Sequence, residues 1–383
     1  MARLGSRPTT LAELARLFLR LGSTAFGGPA VHIAMMEDEV VRRRGWLSEE
    51  QFLDLMGATN LIPGPNSTEM AIHIGWARRR FAGLVVSGVC FIVPAMLLTA
   101  AFGWAYVRYA SVPAVGWALY GIKPAILGVV VQALASLAPK AAKTLRLRLL
   151  GVLAVVGAVA GVHELLLLFC AGAAAVVTAR SVRGAPPGTG TGVGSVLPPL
   201  AMAVGAKVVT LPSLFWVFLK IGSVLFGSGY VLLAFLRAEL VERLHWLTEG
   251  QLVDALAVGQ VTPGPVFTTA TFIGYVLGGP SGALVATAGI FLPAFVFVAV
   301  SGPLVPRLRG SPAAAAFLDG VNVASLALML VVTLELARAT IIDVPSALVA
   351  LLGAVALVRF RLNATWLVLA GAVVGALVHV VGR

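Results

Sequence analysis

The sequence predicts an all-α polytopic membrane protein made of two inverted-topology repeats, whose broken or re-entrant helices meet at mid-membrane. Three observations predict it. Hydrophobic residues make up 59% of the 383 positions and charged residues only 11%, where soluble domains carry roughly a quarter charged. An apolar segment at 51–77 is interrupted by Leu61-Ile-Pro-Gly-Pro-Asn-Ser-Thr68, and Val261-Thr-Pro-Gly-Pro-Val-Phe-Thr268 interrupts a similar segment 200 residues later. Loop charge then reverses between the halves, as an inverted second half requires under the positive-inside rule.

Met1 to Arg20 alternates basic and apolar residues, so no removable signal peptide is expected. The first apolar stretch, 11–36, is expected to span, with a potential break at Phe26-Gly-Gly-Pro29. A polar loop at 37–50 leads into 51–77. There Pro63, Gly64 and Pro65 cannot stay helical, because each proline lacks an N–H and pushes its predecessor towards extended backbone. That segment is read as entering and leaving on one side, and Arg78-Arg79-Arg80 follows it. Runs at 81–107 and 114–138 are long enough to span, since about 20 helical residues cross the hydrocarbon. Lys140, Lys143, Arg146 and Arg148 precede 149–178, where Gly161-Val-His-Glu164 divides a helical hairpin.

Residues 1–180 form the N-terminal membrane repeat, 181–211 a linker rich in Gly, Pro, Ser and Thr, and 212–383 the C-terminal membrane repeat. The second repeat carries Gly222, Phe226, Gly227, Glu239, Arg243, Trp246, Leu247, Gln251, Asp254, Pro263 and Pro265 at the positions of Gly22, Phe26, Gly27, Glu39, Arg43, Trp46, Leu47, Gln51, Asp54, Pro63 and Pro65. Pro94 matches Pro293 after a one-residue deletion. Three spans and a hairpin per repeat give an odd number of crossings, which inverts the second half.

The net charge of +12 sits in short loops, which fits membrane topology and gives no reason to expect nucleic acid. Cys90 and Cys170 lie in apolar runs without metal spacing, so neither disulfide, metal nor other cofactor is expected. His-Glu-x-x-His and Gly-x-Ser-x-Gly patterns do not occur, and no enzyme is expected.

A helix broken inside a membrane leaves N–H groups unpaired at the start of its second half, with the positive end of the helix dipole behind them. Asn66, Ser67 and Thr68 follow the first break, Thr268 and Thr269 the second; with Gly64, Gly264, Gly27, Gly28 and Gly227 they are candidates for cradling an oxyanion. Capping by these short side chains is the competing reading. Lys123 with its match Asn322, and Arg20 with Lys220, are candidate ligands because ionisable residues inside a membrane are costly; snorkelling of Arg20 and Lys220 is the alternative. Glu69 and His73, one turn apart, are candidates for carrying a coupling proton, although Glu69 could instead neutralise Arg20. Asp54 and Asp254 read as caps or ion-pair partners near their helix entrances.

The repeated Phe-Gly-Gly/Ser, the Trp-Leu-Ser/Thr-Glu loop preceded by Glu-x-x-x-Arg, and the duplicated Pro-Gly-Pro resemble the chromate ion transporter family in its long, two-repeat form. The resemblance covers nearly the whole chain and implies export of chromate across a bacterial inner membrane, with sulfate as an analogue and chromate resistance as the result. A proton-coupled transporter of sulfate or another oxyanion, working inward, is the alternative. The implied partners are a small oxyanion and the lipid bilayer; a homodimer is open to such a chain.

Overall fold

The computed structural model describes residues 9–26, 28–59, 62–109, 112–182, 209–225, 231–301, 312–360, 362 and 364–381. Every regular element among them is helical. The first half runs α1 (Leu11–Thr24), α2 (Pro29–Glu37) with a π-helical turn at Asp38–Arg43, α3 (Glu49–Thr59), α4 (Asn66–Tyr109), α5 (Pro113–Ala141), α6 (Leu145–Val159) and α7 (Glu164–Val182). The second runs α8 (Leu211–Val224), α9 (Leu232–Leu236) with a π-helical turn at Arg237–Arg243, α10 (Glu249–Val261), a 3₁₀ turn at Val266–Thr268, α11 (Thr269–Ser301), α12 (Pro312–Thr340), α13 (Val344–Phe360) and α14 (Ala364–Val381). Most of the expected linker, 183–208, lies outside the described residues, as do Gly27 and Gly227.

The repeated loop motifs are caps and turns. Ser48 and Gln51 cap α3 reciprocally, backbone N–H to side-chain oxygen at 3.0 and 3.2 Å, and Thr248 with Gln251 does the same for α10 at 2.9 and 3.2 Å. The tryptophan two residues earlier closes the preceding π turn in both halves, Trp46 N–H donating to the Val40 carbonyl and Trp246 N–H to the Leu240 carbonyl, each at 2.8 Å.

Four helices among the described residues are long and apolar enough to cross a membrane: α4, α5, α11 and α12. Their lipid-compatible faces are exposed, as at Leu97, Phe102 and Trp104 on α4 and Leu284, Val296 and Val300 on α11. α4 and α11 each fold back on themselves. Arg79–Arg80 and Gly278–Gly279 leave helical geometry, and the segments on either side pack so closely that a side chain on Gly75 would strike the Gly83 carbonyl. Thr271 and Thr287 hydroxyls meet at 2.8 Å, whereas 16 residues of straight helix would hold them about 24 Å apart.

The first apolar stretch departs from expectation. α1 has 14 residues, about 21 Å of helix, and it does not span. Arg78, at the end of the first arm of α4, donates to the Thr9 hydroxyl at 2.7 Å and to the Trp46 carbonyl at 2.9 Å. The start of α1, the loop before α3 and the fold-back of α4 therefore lie at one end of the molecule. Residues 9–46 and 49–78 are two broken hairpins that both return to that end, not a span and a hairpin. The long arm of α4 then carries the chain to the opposite end and α5 brings it back; Arg146 at the start of α6 donates to the Thr178 carbonyl in α7 at 3.1 Å. The described helices of the first half thus give an even number of traverses, not the odd number expected.

Candidate functional site

The two helix breaks are stitched to the opposite halves. Gly64 N–H donates to the Leu225 carbonyl at 2.7 Å, and Gly264 N–H to the Ala25 carbonyl at 2.9 Å. Ala25 and Leu225 are the C-caps of α1 and α8, so each break is tied to the first helix of the other repeat. Both glycines have positive φ, 140° and 88°, a region that a β-carbon strains. A side chain on Gly264 would press on Ala95, and one on Gly64 would reach Ala294 at 3.6 Å. Ala95 and Ala294 follow Pro94 and Pro293, partway along the long arms of α4 and α11, which places the breaks deep between the two halves.

The two breaks differ in chemistry. In the second, the Thr268 hydroxyl donates to the Pro265 carbonyl and the Thr269 hydroxyl to the Val266 carbonyl, both at 2.8 Å. Thr99 adds a contact to Thr268 at 3.3 Å. Those hydroxyls are spent on carbonyls three residues back, and no side chain caps the 3₁₀ turn at Val266–Thr268. In the first break Ser67, Thr68, Glu69 and His73 are also buried, yet Thr68 Oγ1, both carboxyl oxygens of Glu69 and His73 Nε2 have no hydrogen-bond partner among the described residues. Helical side chains lean towards the N-terminus, and the Glu69 carboxyl accordingly lies against Gly64, where a β-carbon would collide with it. Buried polar atoms are nearly always paired, so this set marks a place where a partner is expected.

The basic candidates lie elsewhere, each in an ion pair. Lys123 Nζ is 3.3 Å from Asp254 of α10, whose other carboxyl oxygen accepts from the Tyr106 hydroxyl at 2.9 Å. Arg20 pairs with Glu39 at 2.5 Å, so it is not neutralised by Glu69, and Lys220 pairs with Glu239. Arg43 and Arg44 join Glu39 at 3.4 and 3.2 Å, and Arg243 joins Glu239 at 2.5 Å. A buried carboxylate on each π turn is what draws Arg20 and Lys220 away from the breaks. Asn322 lies half-buried on α12, Gly28 caps α2 with φ of 83°, and Asn66 opens α4. Tyr106 and Thr99 escape a reading of the sequence; a hydroxyl inside an apolar run is the only signal either gives.

Two clefts, of about 670 and 450 Å³, open beside Arg20 and Glu39 and between the α6–α7 tip and Arg237. The break residues line neither; Thr68, Glu69 and His73 are at most 1% exposed, while Pro63 and Asn66 are half-buried.

Helices with apolar exteriors and broken backbone buried between two similar halves define a multi-pass membrane protein. The chain belongs to the chromate transporter family, whose model matches residues 12–179 and 212–376. It is 33% identical over 377 residues to the chromate transport protein of Cupriavidus metallidurans, covering 96% of this chain and 93% of that one. Similarity to the chromate transport protein of Pseudomonas aeruginosa is also 33%, over 88% of this chain and 84% of the relative. An uncharacterized transporter of Methanocaldococcus jannaschii is 24% identical over 84% and 83% of the two chains. No solved structure matches. The family is one of transporters, and membership implies an oxyanion substrate.

Proposed function

We propose that this protein exports chromate across a bacterial inner membrane and so confers chromate resistance, with the first helix break as the core of its binding site. The observation that carries this reading is the set of buried, unpartnered polar groups at the start of α4, beside Gly64. The N–H groups of Asn66, Ser67 and Thr68 sit at the positive end of the α4 dipole and offer donors to a tetrahedral dianion. Thr68 Oγ1 adds a hydroxyl donor, while Leu225 and Ala294 wall the site from the other half. Sulfate has the same shape and charge and is the expected competitor. Lys123, Arg20 and Lys220 are each paired with a carboxylate, of Asp254, Glu39 and Glu239. An outward direction is favoured because each negative charge leaving a negative cytoplasm gains about 2.3 kcal/mol per 100 mV.

Chromate counterflow in proteoliposomes tests this. Labelled chromate should exchange with internal chromate, be slowed by sulfate, and ignore phosphate at equal concentration. Exchange of phosphate but not of chromate would refute the reading.

A further inference from the structure

The first break holds a group that oxyanion binding alone does not use. Glu69 is fully buried, its two carboxyl oxygens lack any hydrogen-bond partner among the described residues, and it lies against Gly64 at the N-terminus of α4. The second half has Thr269 there, bonded to its own backbone. His73, one turn further on the same helix face, is likewise buried with Nε2 unpartnered, and the second half, one residue shorter by its fold-back, has Phe272 and Ile273 at this level. A titratable pair thus occurs at one break and not at the other.

The elements packed on this arm bring Glu69 no partner. α11 holds no acidic, basic or histidine residue, Tyr275 being its one titratable group. On α1, Arg20 is paired with Glu39, and Glu13 and Arg16 lie in its outer turns. On α2, His32 gives Nε2–H to the Ala25 carbonyl and Glu37 pairs with Arg42. On α3, Glu49 and Glu50 lie at the outer end and Asp54 midway along. At the end of the arm itself, just before the fold-back, Arg78 is bound to Thr9 and Trp46.

We propose that Glu69 binds a proton that crosses together with the oxyanion, and that His73 relays that proton. This rests on the break being the oxyanion site. When the empty site opens to water, the positive helix end favours ionisation of Glu69. A dianion settling on the same N–H groups repels that carboxylate, so the carboxylate takes up a proton and becomes the neutral acid as the anion binds. On the other side the anion leaves, the O–H bond breaks, and the proton passes by way of His73 to water. Anion and proton binding therefore reinforce one another. That couples them in one direction, whereas exchange of one for the other would need them to compete.

Full-length protein in liposomes tests the coupling, with voltage clamped by potassium and valinomycin, alkaline buffer in which chromate is the dianion, and a pH dye in the lumen. Inward chromate movement by the unmodified protein should acidify the lumen. Chromate exchange should also slow as pH rises. Glu69→Gln, which fixes the neutral form, should abolish the proton movement and make exchange insensitive to pH, and Glu69→Asp should regain part of the proton movement. Lumenal alkalinisation, an unchanged lumenal pH, or proton movement intact in Glu69→Gln would overturn the proposal. The dye signal from unmodified protein decides the matter even if the variant does not fold. Absence of chromate exchange by the unmodified protein would overturn the transport reading beneath it, and the exchange arm separates that result from a failure of coupling alone.

Discussion

Lys123, Asp254 and Tyr106 bring together three elements of different halves: α5 and α4 of the first and α10 of the second. Asp254 is almost wholly buried and Lys123 keeps 29% of its side chain exposed, so the pair is screened on one side only. Removing one partner leaves the other as an uncompensated charge, at a cost of about 3–5 kcal/mol in a fully buried pair and less here. Replacing both with neutral residues relieves that penalty. In a double-mutant cycle of detergent-solubilised protein, Lys123→Gln and Asp254→Asn should each lower the melting temperature, and the combination should be less destabilised than their sum, with a coupling of roughly 0.5–3 kcal/mol. Additive losses would mean that the pair is incidental. The lysine is legible as a costly intramembrane charge and Asp254 as a cap or ion-pair partner; that the two pair with each other is not. Asp254 lies 131 residues away, in a helix whose approach to α5 is set by how the halves pack. Nothing in local spacing reports such a contact.

At the scale of elements, helix breaks and caps are written in the sequence because they follow from local backbone chemistry. Pro63-Gly64-Pro65 removes two N–H groups and supplies a residue free to take positive φ, and the break falls there. The fate of 11–36 could not be read in this way: its length of apolar residues suits a span, and only the Arg78 contacts to Thr9 and Trp46 show that α1 and α2 return to one end. Substituting Ala for all of Pro63, Gly64 and Pro65 should let α3 run on into α4. The N–H groups of Asn66 and Ser67 would then be consumed by intrahelical bonds, and Gly64 N–H would be lost to the Leu225 carbonyl. Chromate exchange should fall at least tenfold, the factor of a single lost interaction of about 1.4 kcal/mol, while the protein still inserts. Undiminished exchange by well-expressed variant protein would remove the break from the site.

For the whole molecule, the question is how the halves are oriented. A side chain on Gly103, near the far end of α4's long arm, would meet Tyr275 beside the α11 fold-back, and one on Gly88, near the start of that arm, would meet Phe295 late in α11. The long arms of α4 and α11 therefore run antiparallel. Gly278, at the α11 fold-back, lies by Leu211 at the start of α8, whereas the corresponding contacts of Arg78 mark the opposite end of the molecule. These contacts support inverted repeats. They also leave α7 ending at one end and α8 starting at the other, with 183–208 between them outside the described residues. The Arg78 end gathers Arg42, Arg43, Arg44, Arg79 and Arg80, so the positive-inside rule assigns it to the cytoplasm. Ser48 and Thr248 are exposed counterparts in the two capping loops. Each can be replaced by cysteine at the cost of one cap, about 1 kcal/mol, in a background lacking Cys90 and Cys170. In intact cells a membrane-impermeant maleimide should label Thr248→Cys and spare Ser48→Cys until the membrane is permeabilised. The opposite pattern would keep the inversion but reverse the orientation; equal labelling of both from outside would exclude inverted repeats, because the two loops would then share a face.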